Sequence, residues 1–356
     1  MMHHTDVIVI GGGQAGLALG HELARQGTDF VILDASPSVG HAWRSRWDSL
    51  VLFTPAQYSG LPGMAFPAPP DTYPTKDAVA DYLAAYAATF DLPVCLNSPV
   101  RHVRRAAGGY VVHTPTAAYA AAQVVVATGA FHTPFVPALA SELAPEVAQL
   151  HSSAYRNPAQ IADGEVLVVG AGNTGAQIAE ELARTHRVTL AVGQSLPALP
   201  QRLMGRDIGW WLRASGAMSL PVDSWLGRRA SARDALIGTS LRRLRALGVR
   251  VAGRAQGARS DAVLLAGWQV VRPRTVIWAT GFRNDYSWID APVLDMSGRP
   301  VHRRGVTAAP GLFFLGLPWQ HTRGSALIGG VGDDAAYLAG HIARQVAAAR
   351  PAARAA

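Results

Sequence analysis

Two glycine clusters in this sequence have the residue types and the spacing that bind a dinucleotide. In the first, Gly11, Gly13 and Gly16 follow one another at G-x-G-x-x-G spacing. One such glycine makes a tight turn, one lets the backbone approach a pyrophosphate, and one lets a helix pack closely on a strand. Asp34 follows Gly11 at about 20 residues, the usual place for an acid that accepts a ribose hydroxyl.

The second cluster repeats this arrangement later in the chain. In both copies the phosphates are expected on backbone amides at a helix N-terminus, where the helix dipole favours negative charge. Because two bound dinucleotides can exchange electrons, the pair of clusters predicts a redox relay. The predicted contacts are Gly11, Gly13, Gln14, Ala15 and Gly16 in the first cluster, and Gly170, Gly172, Asn173, Thr174 and Gly175 in the second.

The residues around each cluster predict the elements that would position it. A short apolar, β-branched run precedes each cluster, a helix-like apolar pattern follows, and a second strand-like run closes the unit. These strand–turn–helix–strand units cover residues 7–33 and 166–192. The other predicted elements are a helix at 76–88, a strand at 94–96, a strand–turn–strand at 101–114, buried strands ending at 129 and 281, a last buried strand at 312–316 and a glycine-interrupted helix at 325–346.

Strand patterning lapses over residues 196–247, which we call the insert. Three tryptophans lie among arginines there, and residues 235–247 are predicted to be helical. The insert could lie on a membrane, cover a pocket, or pack as helices over the second domain.

Length and composition limit the class of protein. The 356 residues are roughly two domains' worth, and an apolar fraction of 49% can fill two cores. No apolar run approaches the ~20 residues of a membrane span, and the first strand begins too early to leave room for a signal peptide. Cys95 is the single cysteine, which excludes internal disulfides and redox dithiols. We expect a cytoplasmic protein without a metal site.

The net charge of +8 does not indicate a nucleic-acid partner. All but one of the 32 basic residues are arginine, and they are scattered along the chain. No nucleic-acid-binding module accompanies them, so the charge indicates a solvated surface.

The chain resembles the class B flavin-dependent monooxygenases. The resemblance rests on the two glycine clusters, on two Ala-Thr-Gly runs at 127–129 and 279–281, and on the run His-Ser-Ser-Ala-Tyr-Arg at 151–156. That family includes flavin-containing monooxygenases, plant indole-pyruvate monooxygenases and Baeyer–Villiger enzymes. Short bacterial flavoproteins once described as involved in cation transport are the most similar in pattern.

This resemblance covers nearly the whole chain and implies the fold and the cofactors. The fold would be α/β, with two dinucleotide-binding, Rossmann-like three-layer domains and the NAD(P) domain inserted into the FAD domain. Residues 1–158 and 286–356 would form the FAD domain, and residues 159–285 the NAD(P) domain with its insert. The cofactors would be FAD and either NADPH or NADH.

The same resemblance implies roles for particular residues. The first cluster and Asp34 would hold FAD, with Trp43 and Arg44 near it and Val100 beside the adenine. The second cluster would hold the nicotinamide cofactor. Further cofactor contacts would come from the two Ala-Thr-Gly runs, namely Ala127, Thr128, Gly129, Ala279, Thr280 and Gly281. The chain departs from the family signature at Pro145 and Val147, where the family has phenylalanine and glycine, and in the turn at 52–55, which lacks the family's asparagine.

Three functions are consistent with this pair of cofactors. The first, which we favour, is a monooxygenase that forms a flavin peroxide and oxygenates a small soft nucleophile or carbonyl compound with molecular oxygen. The second is an NAD(P)H oxidase or reductase that passes electrons to oxygen or a quinone, and the third is a non-catalytic redox sensor. A monooxygenase must exclude water from the flavin peroxide, which requires a closed site and hydrogen-bond donors. Disulfide reductases share the two-cluster plan, but they need a cysteine pair.

The candidate donors are Arg44 and the run Trp319, Gln320 and His321. That run follows the last predicted strand, and ligands bind beyond strand ends in open α/β sheets. His132 and His151 are rival candidates. Tyr155 and Arg156 are assigned to the domain hinge or to the nicotinamide phosphates.

The residues that would read the nicotinamide ribose suggest dual specificity. The position equivalent to Asp34 in the second unit is Gly193, so no carboxylate repels a 2′-phosphate. Gln194 follows and can donate a hydrogen bond to either ribose. Arg202 and Arg206 could reach a phosphate from the insert, and we predict that both NADPH and NADH are used.

Overall fold

The computed structural model describes residues 2–232 and 235–353, with side chains as far as residue 346 in the last helix. The strands are β1 (Met2–Ile10), β2 (Phe30–Leu33), β3 (Val94–Cys95), β4 (His102–Ala106), β5 (Gly109–His113), β6 (Ala118–Val126), β7 (Thr133–Pro134), β8 (Ala148–His151), β9 (Glu165–Val169), β10 (Arg187–Val192), β11 (Ala198–Leu199), β12 (Arg202–Leu203), β13 (Arg206–Asp207), β14 (Leu236–Ile237), β15 (Arg250–Gly253), β16 (Ala255–Arg259), β17 (Ala262–Leu265), β18 (Gln269–Val271), β19 (Thr275–Trp278), β20 (Phe282–Arg283), β21 (Ile289–Asp290) and β22 (Leu312–Phe314).

Eight α-helices accompany these strands in the described residues. They are α1 (Gln14–Arg25), α2 (His41–Arg44), α3 (Lys76–Thr89), α4 (Asn173–Leu182), α5 (Ile208–Ala214), α6 (Trp225–Ser231), α7 (Leu241–Ala246) and α8 (Val331–Ala353). Short 3-10 helices lie at Ala56–Tyr58, Ala138–Glu142, Pro158–Gln160, Ala217–Ser219 and Arg323–Ala326.

The described strands form two larger sheets that share one pattern. The first has the order β21-β4-β5-β6-β1-β2-β3, with β22 beside the end of β6, and β3, β2, β1, β6 and β22 run parallel. The second is wholly parallel, in the order β15-β10-β9-β19-β8. In each, a glycine cluster follows the central strand, β1 or β9.

Each large sheet is covered on both faces, because alternate residues of a strand point to opposite sides. In β1, Val7 and Val9 pack toward α1, α3 and α8, whereas Ile8 and Ile10 belong to the apolar cluster on the other face, with Tyr286, Val293 and Leu317. In β9, Val166 and Val168 pack toward α4 and α7, and the intervening leucine packs toward the antiparallel β16–β17–β18 sheet. The predicted three-layer α/β fold is confirmed.

The chain builds the first sheet, then the second, and then returns to the first. β21 and β22 pair with β4 and β6 after the second sheet is complete. β8 pairs with β19 and so belongs to the second sheet, although it precedes residue 158. The domain limits of 158 and 285 stay a prediction. None of the helices described in residues 2–232 and 235–353 has the length and hydropathy to cross a membrane.

The helix predicted at residues 235–247 is wrong in its first part. The strand β14 comes first, a turn at Gly238 (φ 76°) follows, and only then does α7 begin. Two hydrogen bonds hold the first part extended, because the Asn173 amide donates to the Ala235 carbonyl (3.1 Å) and accepts from the Ile237 N–H (3.0 Å). Ser240 then starts the helix by accepting the Arg243 N–H.

Candidate functional site

The first glycine cluster forms a tight turn that only glycine fits. Gly11 has φ 112°, and a Cβ there would lie 2.5 Å from the Ala127 carbonyl oxygen. A Cβ on Gly16 would lie 1.9 Å from the Gly11 carbonyl oxygen. Gly13 differs, because a Cβ there would meet nothing within 4 Å. Two glycines therefore serve packing, and Gly13 leaves open space at the start of α1.

The second cluster has the same geometry. Gly170 has φ 109°, and a Cβ there would lie 2.2 Å from the Ala279 carbonyl oxygen. A Cβ on Gly175 would lie 1.9 Å from the Gly170 carbonyl oxygen, whereas a Cβ on Gly172 would meet nothing within 4 Å. Ala127 and Ala279 thus have equivalent roles, since each lies against the first glycine of its cluster.

Both turns fit a dinucleotide pyrophosphate. Gly13 and Gly172 each cap a helix with extended backbone, and neither α1 nor α4 has an acidic residue in its first turn. The first backbone N–H groups of each helix therefore meet a ligand phosphate without a competing carboxylate. Gln14 Nε2 lies 3.4 Å from the Ala326 carbonyl oxygen, whereas Ala15 packs against Gly316.

Asp34 lies at the carboxyl end of β2, beside the first turn. Its carboxylate accepts the N–H groups of Gly12 (2.5 Å) and Ser36 (2.7 Å). Its carbonyl accepts the Ser98 N–H (2.8 Å), which anchors the loop that carries Val100. The structure therefore anchors the loop that carries Val100 at Asp34, at the edge where the adenosine of FAD is predicted.

The residues predicted to contact the nicotinamide cofactor differ in their surroundings. Asn173 is committed to the insert through the two hydrogen bonds described above, and Thr174 is half-buried on the first turn of α4. Gln194 is exposed just after β10. Arg202 and Arg206 do not reach this point: Arg202 Nη2 contacts the Asp71 carbonyl (3.4 Å), and the Arg206 guanidinium lies 4.3 Å from the Trp210 ring centre.

Two segments, residues 128–135 and 280–286, join the sites; we call them the interdomain seam. β7 and β20 pair within it, and the Thr280 hydroxyl donates to the Phe135 carbonyl. His132 Nε2 lies within hydrogen-bond distance of Thr128 Oγ1 (2.9 Å) and of the Gly129 carbonyl (2.8 Å). His132 therefore fixes the turn that follows β6.

His151 holds the other side of the seam. Its Nε2 lies 3.0 Å from the Gly281 carbonyl, and its Nδ1 lies 2.9 Å from Ser153 Oγ. Burial lowers the pKa of His151, and the Arg46 charge lowers it further, against the opposing effect of the Gly281 hydrogen bond. The ring is thus favoured as a neutral hydrogen-bonding group.

Arg46 is a residue of this site that the sequence reasoning missed. Its guanidinium lies 4.9 Å from the Phe131 ring centre and 5.9 Å from that of Phe282. Burial and the charge of Arg156 lower its pKa, and no described residue offers it a carboxylate. The signal was available, since Arg46 follows Trp43-Arg44 by two residues, but only the fold brings the two phenylalanines to it.

Arg44 itself points away from the seam. Its Nη2 forms a 2.8 Å ion pair with Asp81 on α3, and its side chain is 40% exposed. Trp43 is half-buried and packs against the apolar cluster formed by β1, α1, α3 and α8. The prediction that Arg44 is a donor in the site stays a prediction.

The run after β22 lies beside the start of α1, as Gly316 packs on Ala15. Trp319 has φ 56°, a left-handed backbone that is uncommon for a bulky residue and typical of functional sites. Gln320 is 3% exposed, and its Oε1 accepts the Leu317 N–H (3.3 Å). The His321 carbonyl accepts the Val222 N–H from the insert (2.7 Å).

The insert lies across both halves of the molecule. Its second part packs against the second sheet, since Leu236 and Leu244 lie in one apolar cluster with residues of β9 and α4. Its first part reaches two segments on either side of the predicted NAD(P) domain in sequence, since Gln201 donates to the Phe53 carbonyl (2.8 Å) and Arg213 to the Gly329 carbonyl (3.3 Å). The insert therefore covers the loops beside the predicted flavin as well as the second domain.

Asp207 anchors this cover. The side chain is 3% exposed and accepts three hydrogen bonds, from the Tyr73 hydroxyl (2.8 Å), the Gln201 amide (2.8 Å) and the Gly209 N–H (2.6 Å). Burial raises the pKa of Tyr73, and its hydrogen bond to Asp207 raises it further. A buried carboxylate thus ties the insert to residues 69–74.

The described residues offer no metal site and no cysteine pair. Within residues 2–232 and 235–353 there is no group of three or more His, Cys, Asp or Glu side chains that could hold a metal. Cys95 is the single cysteine and is half-buried at the end of β3. A reaction that uses two cysteines of one chain is therefore excluded.

Comparison with known proteins agrees with this geometry. The model of the pyridine nucleotide-disulphide oxidoreductase family matches residues 8–201. An uncharacterized CzcO-like oxidoreductase of Geobacillus kaustophilus is 47% identical over 341 residues, which cover 95% of this chain and 98% of that protein. The uncharacterized oxidoreductase CzcO of Bacillus subtilis is 40% identical over 336 residues, covering 94% and 97%.

A solved structure matches over the same length. The flavin-containing monooxygenase from Stenotrophomonas maltophilia has a TM-score of 0.82 and 30% identity, covering 97% of this chain and 100% of that one. The resemblance to class B flavin monooxygenases, the predicted FAD and NAD(P)H cofactors and the assignment as an enzyme are confirmed. The chain belongs to the pyridine nucleotide-disulphide oxidoreductase family and, within it, to the CzcO-like and flavin-containing-monooxygenase-like flavoenzymes.

Proposed function

We propose that this flavoenzyme is a monooxygenase that oxygenates a small soft nucleophile or carbonyl compound at the expense of NAD(P)H and molecular oxygen. The observation that carries this proposal is the insert. It is anchored by the buried Asp207 and reaches the loops beside the predicted flavin site. A cover of this kind excludes water, which an oxygenating site needs more than an electron-transfer site does.

The bound flavin supplies the redox chemistry, accepting hydride from the nicotinamide and delivering electrons to oxygen. The residues of this chain would bind and orient the two cofactors. The N-termini of α1 and α4 would hold the two pyrophosphates, and Asp34 would orient the adenosine of FAD. The seam joins the two sites, and it is held by His132 within its first segment and by His151 of β8, which contacts Gly281 in its second segment.

Arg46 supplies positive charge at the seam. Its guanidinium is half-buried against Phe131 and Phe282, and Arg156 raises the local positive potential. A cation in a low-dielectric position stabilises negative charge that develops near it more strongly than a cation in water does. We assign to Arg46 the role of a fixed positive charge at the seam, which would stabilise negative charge on a group held there.

An NAD(P)H oxidase or reductase is the second candidate. The departures from the family signature favour it, since Pro145 and Val147 replace phenylalanine and glycine just before β8. It would use the same cofactor sites as the first candidate, but it would pass the electrons to oxygen or a quinone without oxygenating a substrate.

The ratio of hydrogen peroxide released to NAD(P)H consumed separates the two candidates. The purified holoenzyme would be assayed with a panel of thioethers, amines and ketones. A monooxygenase gives a ratio that falls well below one when an accepted compound is added, together with an oxygenated product. A ratio of one with every compound refutes the proposal and supports the oxidase.

A further inference from the structure

We propose that Arg254 binds the 2′-phosphate of the nicotinamide cofactor and makes the enzyme prefer NADPH. This inference rests on the proposed use of the second glycine cluster for NAD(P)H. It replaces the dual specificity that the sequence suggests, because the fold brings to the ribose an arginine from a distant part of the chain.

An internal comparison locates the ribose. In the first unit the residue after β2 is Asp34, whose carboxylate accepts the Gly12 N–H; a Cβ on Gly12 would lie 2.8 Å from Asp34 Oδ2. The equivalent pair in the second unit is Ala171 and Gly193. A methyl group is accommodated at Ala171 because no carboxylate projects from Gly193. The second ribose site thus has the same backbone with the acid removed.

Arg254 lies beside Gly193, the position that corresponds to Asp34 in the first unit. A Cβ built on Gly193 would lie 3.4 Å from Arg254 Nε and 3.8 Å from its Nη2. Arg254 occupies the turn between β15 and β16, and its carbonyl accepts the Ala266 N–H (2.8 Å), which fixes the turn. The pairing of β15 with β10 over residues 189–192 places this turn beside Gly193.

The guanidinium of Arg254 is available for a ligand. The residue is exposed, and in residues 2–232 and 235–346 its side chain has no hydrogen bond or ion pair. The planar guanidinium can donate two parallel hydrogen bonds to a phosphate, and its attraction is strongest for the doubly charged group. The 2′-hydroxyl of NADH offers no such partner. Gln194, the next residue after Gly193, can add a neutral hydrogen bond.

The test compares the two nucleotides on the FAD-loaded protein. Anaerobic flavin reduction would be measured with NADPH and with NADH for the native protein, Arg254→Ala and Arg254→Lys. We expect the native protein to favour NADPH by at least tenfold. Arg254→Ala should lower the second-order rate constant with NADPH by 10- to 100-fold and leave that with NADH within threefold, and Arg254→Lys should recover part of the loss; these factors correspond to about 1.4–2.7 kcal/mol.

Arg259→Ala is the matched control. Arg259 is an exposed arginine at the other end of β16, so its removal makes the same change in charge away from Gly193. It should leave the preference unchanged. An equal loss with NADPH and NADH in Arg254→Ala, or an equal effect of Arg259→Ala, would overturn the assignment.

A binding measurement keeps the inference separate from the proposed function. Calorimetry with adenosine 2′,5′-bisphosphate and with 5′-AMP needs no turnover. Tighter binding of the bisphosphate that is lost in Arg254→Ala supports the site even if neither nucleotide reduces the flavin, in which case the proposed function alone fails. Equal binding of the two probes by the native protein refutes the site, whatever the enzyme does with oxygen.

Discussion

Valine substitutions at Gly13 and Gly172 should remove one cofactor each and leave the fold intact. A Cβ at either position meets nothing within 4 Å, and the backbone is extended (φ −79° and −72°), a conformation that valine adopts readily. The cost to the free energy of unfolding is the exchange of a tolerated helix cap for a poor one, about 1 kcal/mol. The added methyl groups then occupy the space assigned to a pyrophosphate.

The expected loss of affinity is much larger than the loss of stability. Displacing a phosphate from one or two backbone N–H groups removes charge-assisted hydrogen bonds worth about 1.5–3 kcal/mol each. A loss of about 3 kcal/mol is more than a hundredfold in dissociation constant. Gly13→Val should therefore purify without FAD, whereas Gly172→Val should remain yellow and resist reduction by NAD(P)H.

Absorbance spectra and anaerobic stopped-flow reduction would measure both effects. Gly257→Val is the matched control, since Gly257 is a glycine in β16 with nothing within 4 Å of its Cβ position. Gly175→Val is unsuitable for this test, because its Cβ would lie 1.9 Å from the Gly170 carbonyl oxygen and the turn itself would be disrupted. If Gly172→Val is reduced at the native rate, the second cluster does not bind the nicotinamide cofactor.

Three further predictions concern the acid of the first site, the cover and pH. Asp34→Ala should weaken FAD retention at least tenfold, measured by fluorescence of released flavin, because the variant loses the carboxylate that orders the turn at Gly12 and faces the ribose; unchanged retention would remove Asp34 from the site. Asp207→Ala should raise the fraction of NAD(P)H electrons lost as hydrogen peroxide while FAD stays bound, since three hydrogen bonds of the insert are lost; an unchanged peroxide yield would show that the insert does not shield the site. Burial lowers the pKa of His302 below 6.5, and the charge of Asp334 opposes the shift. Below about pH 6.5 the unfolded chain therefore binds more protons than the folded one, and the free energy of unfolding should fall as the pH falls from 6.5 toward the pKa of the folded state. His302→Gln should reduce the slope of melting temperature against pH there, and an equal slope would show that His302 contributes nothing.

The sequence is sufficient to predict the features that depend on local chain geometry. The G-x-G-x-x-G spacing carries its own structural reason, and both turns have the close contacts that require glycine at Gly16 and Gly175. The helix predicted at residues 76–88 is confirmed as α3, because its Thr75 cap and apolar pattern are both local. Cofactors that depend on these turns follow directly.

Features that depend on distant parts of the chain are not accessible in this way. The segment before α7 is helical in pattern, yet a side chain from α4, Asn173, holds it extended. Arg46 lies near the Phe282 ring and Arg254 lies beside Gly193, and long stretches of sequence separate the members of each pair. The exposure of Arg44 on α2 likewise depends on Asp81 of α3. Such pairings are set by packing of whole elements, which a single sequence does not reveal.

The fate of oxygen tests the proposed function most directly. Turnover under oxygen-18 gas, with NADPH and each thioether, amine and ketone of the panel in turn, would be followed by mass spectrometry of the reaction mixture. A monooxygenase incorporates one labelled oxygen atom into each product molecule and returns the other as water. The absence of any labelled product, with all labelled oxygen recovered as hydrogen peroxide, would contradict the assignment and leave an NAD(P)H oxidase.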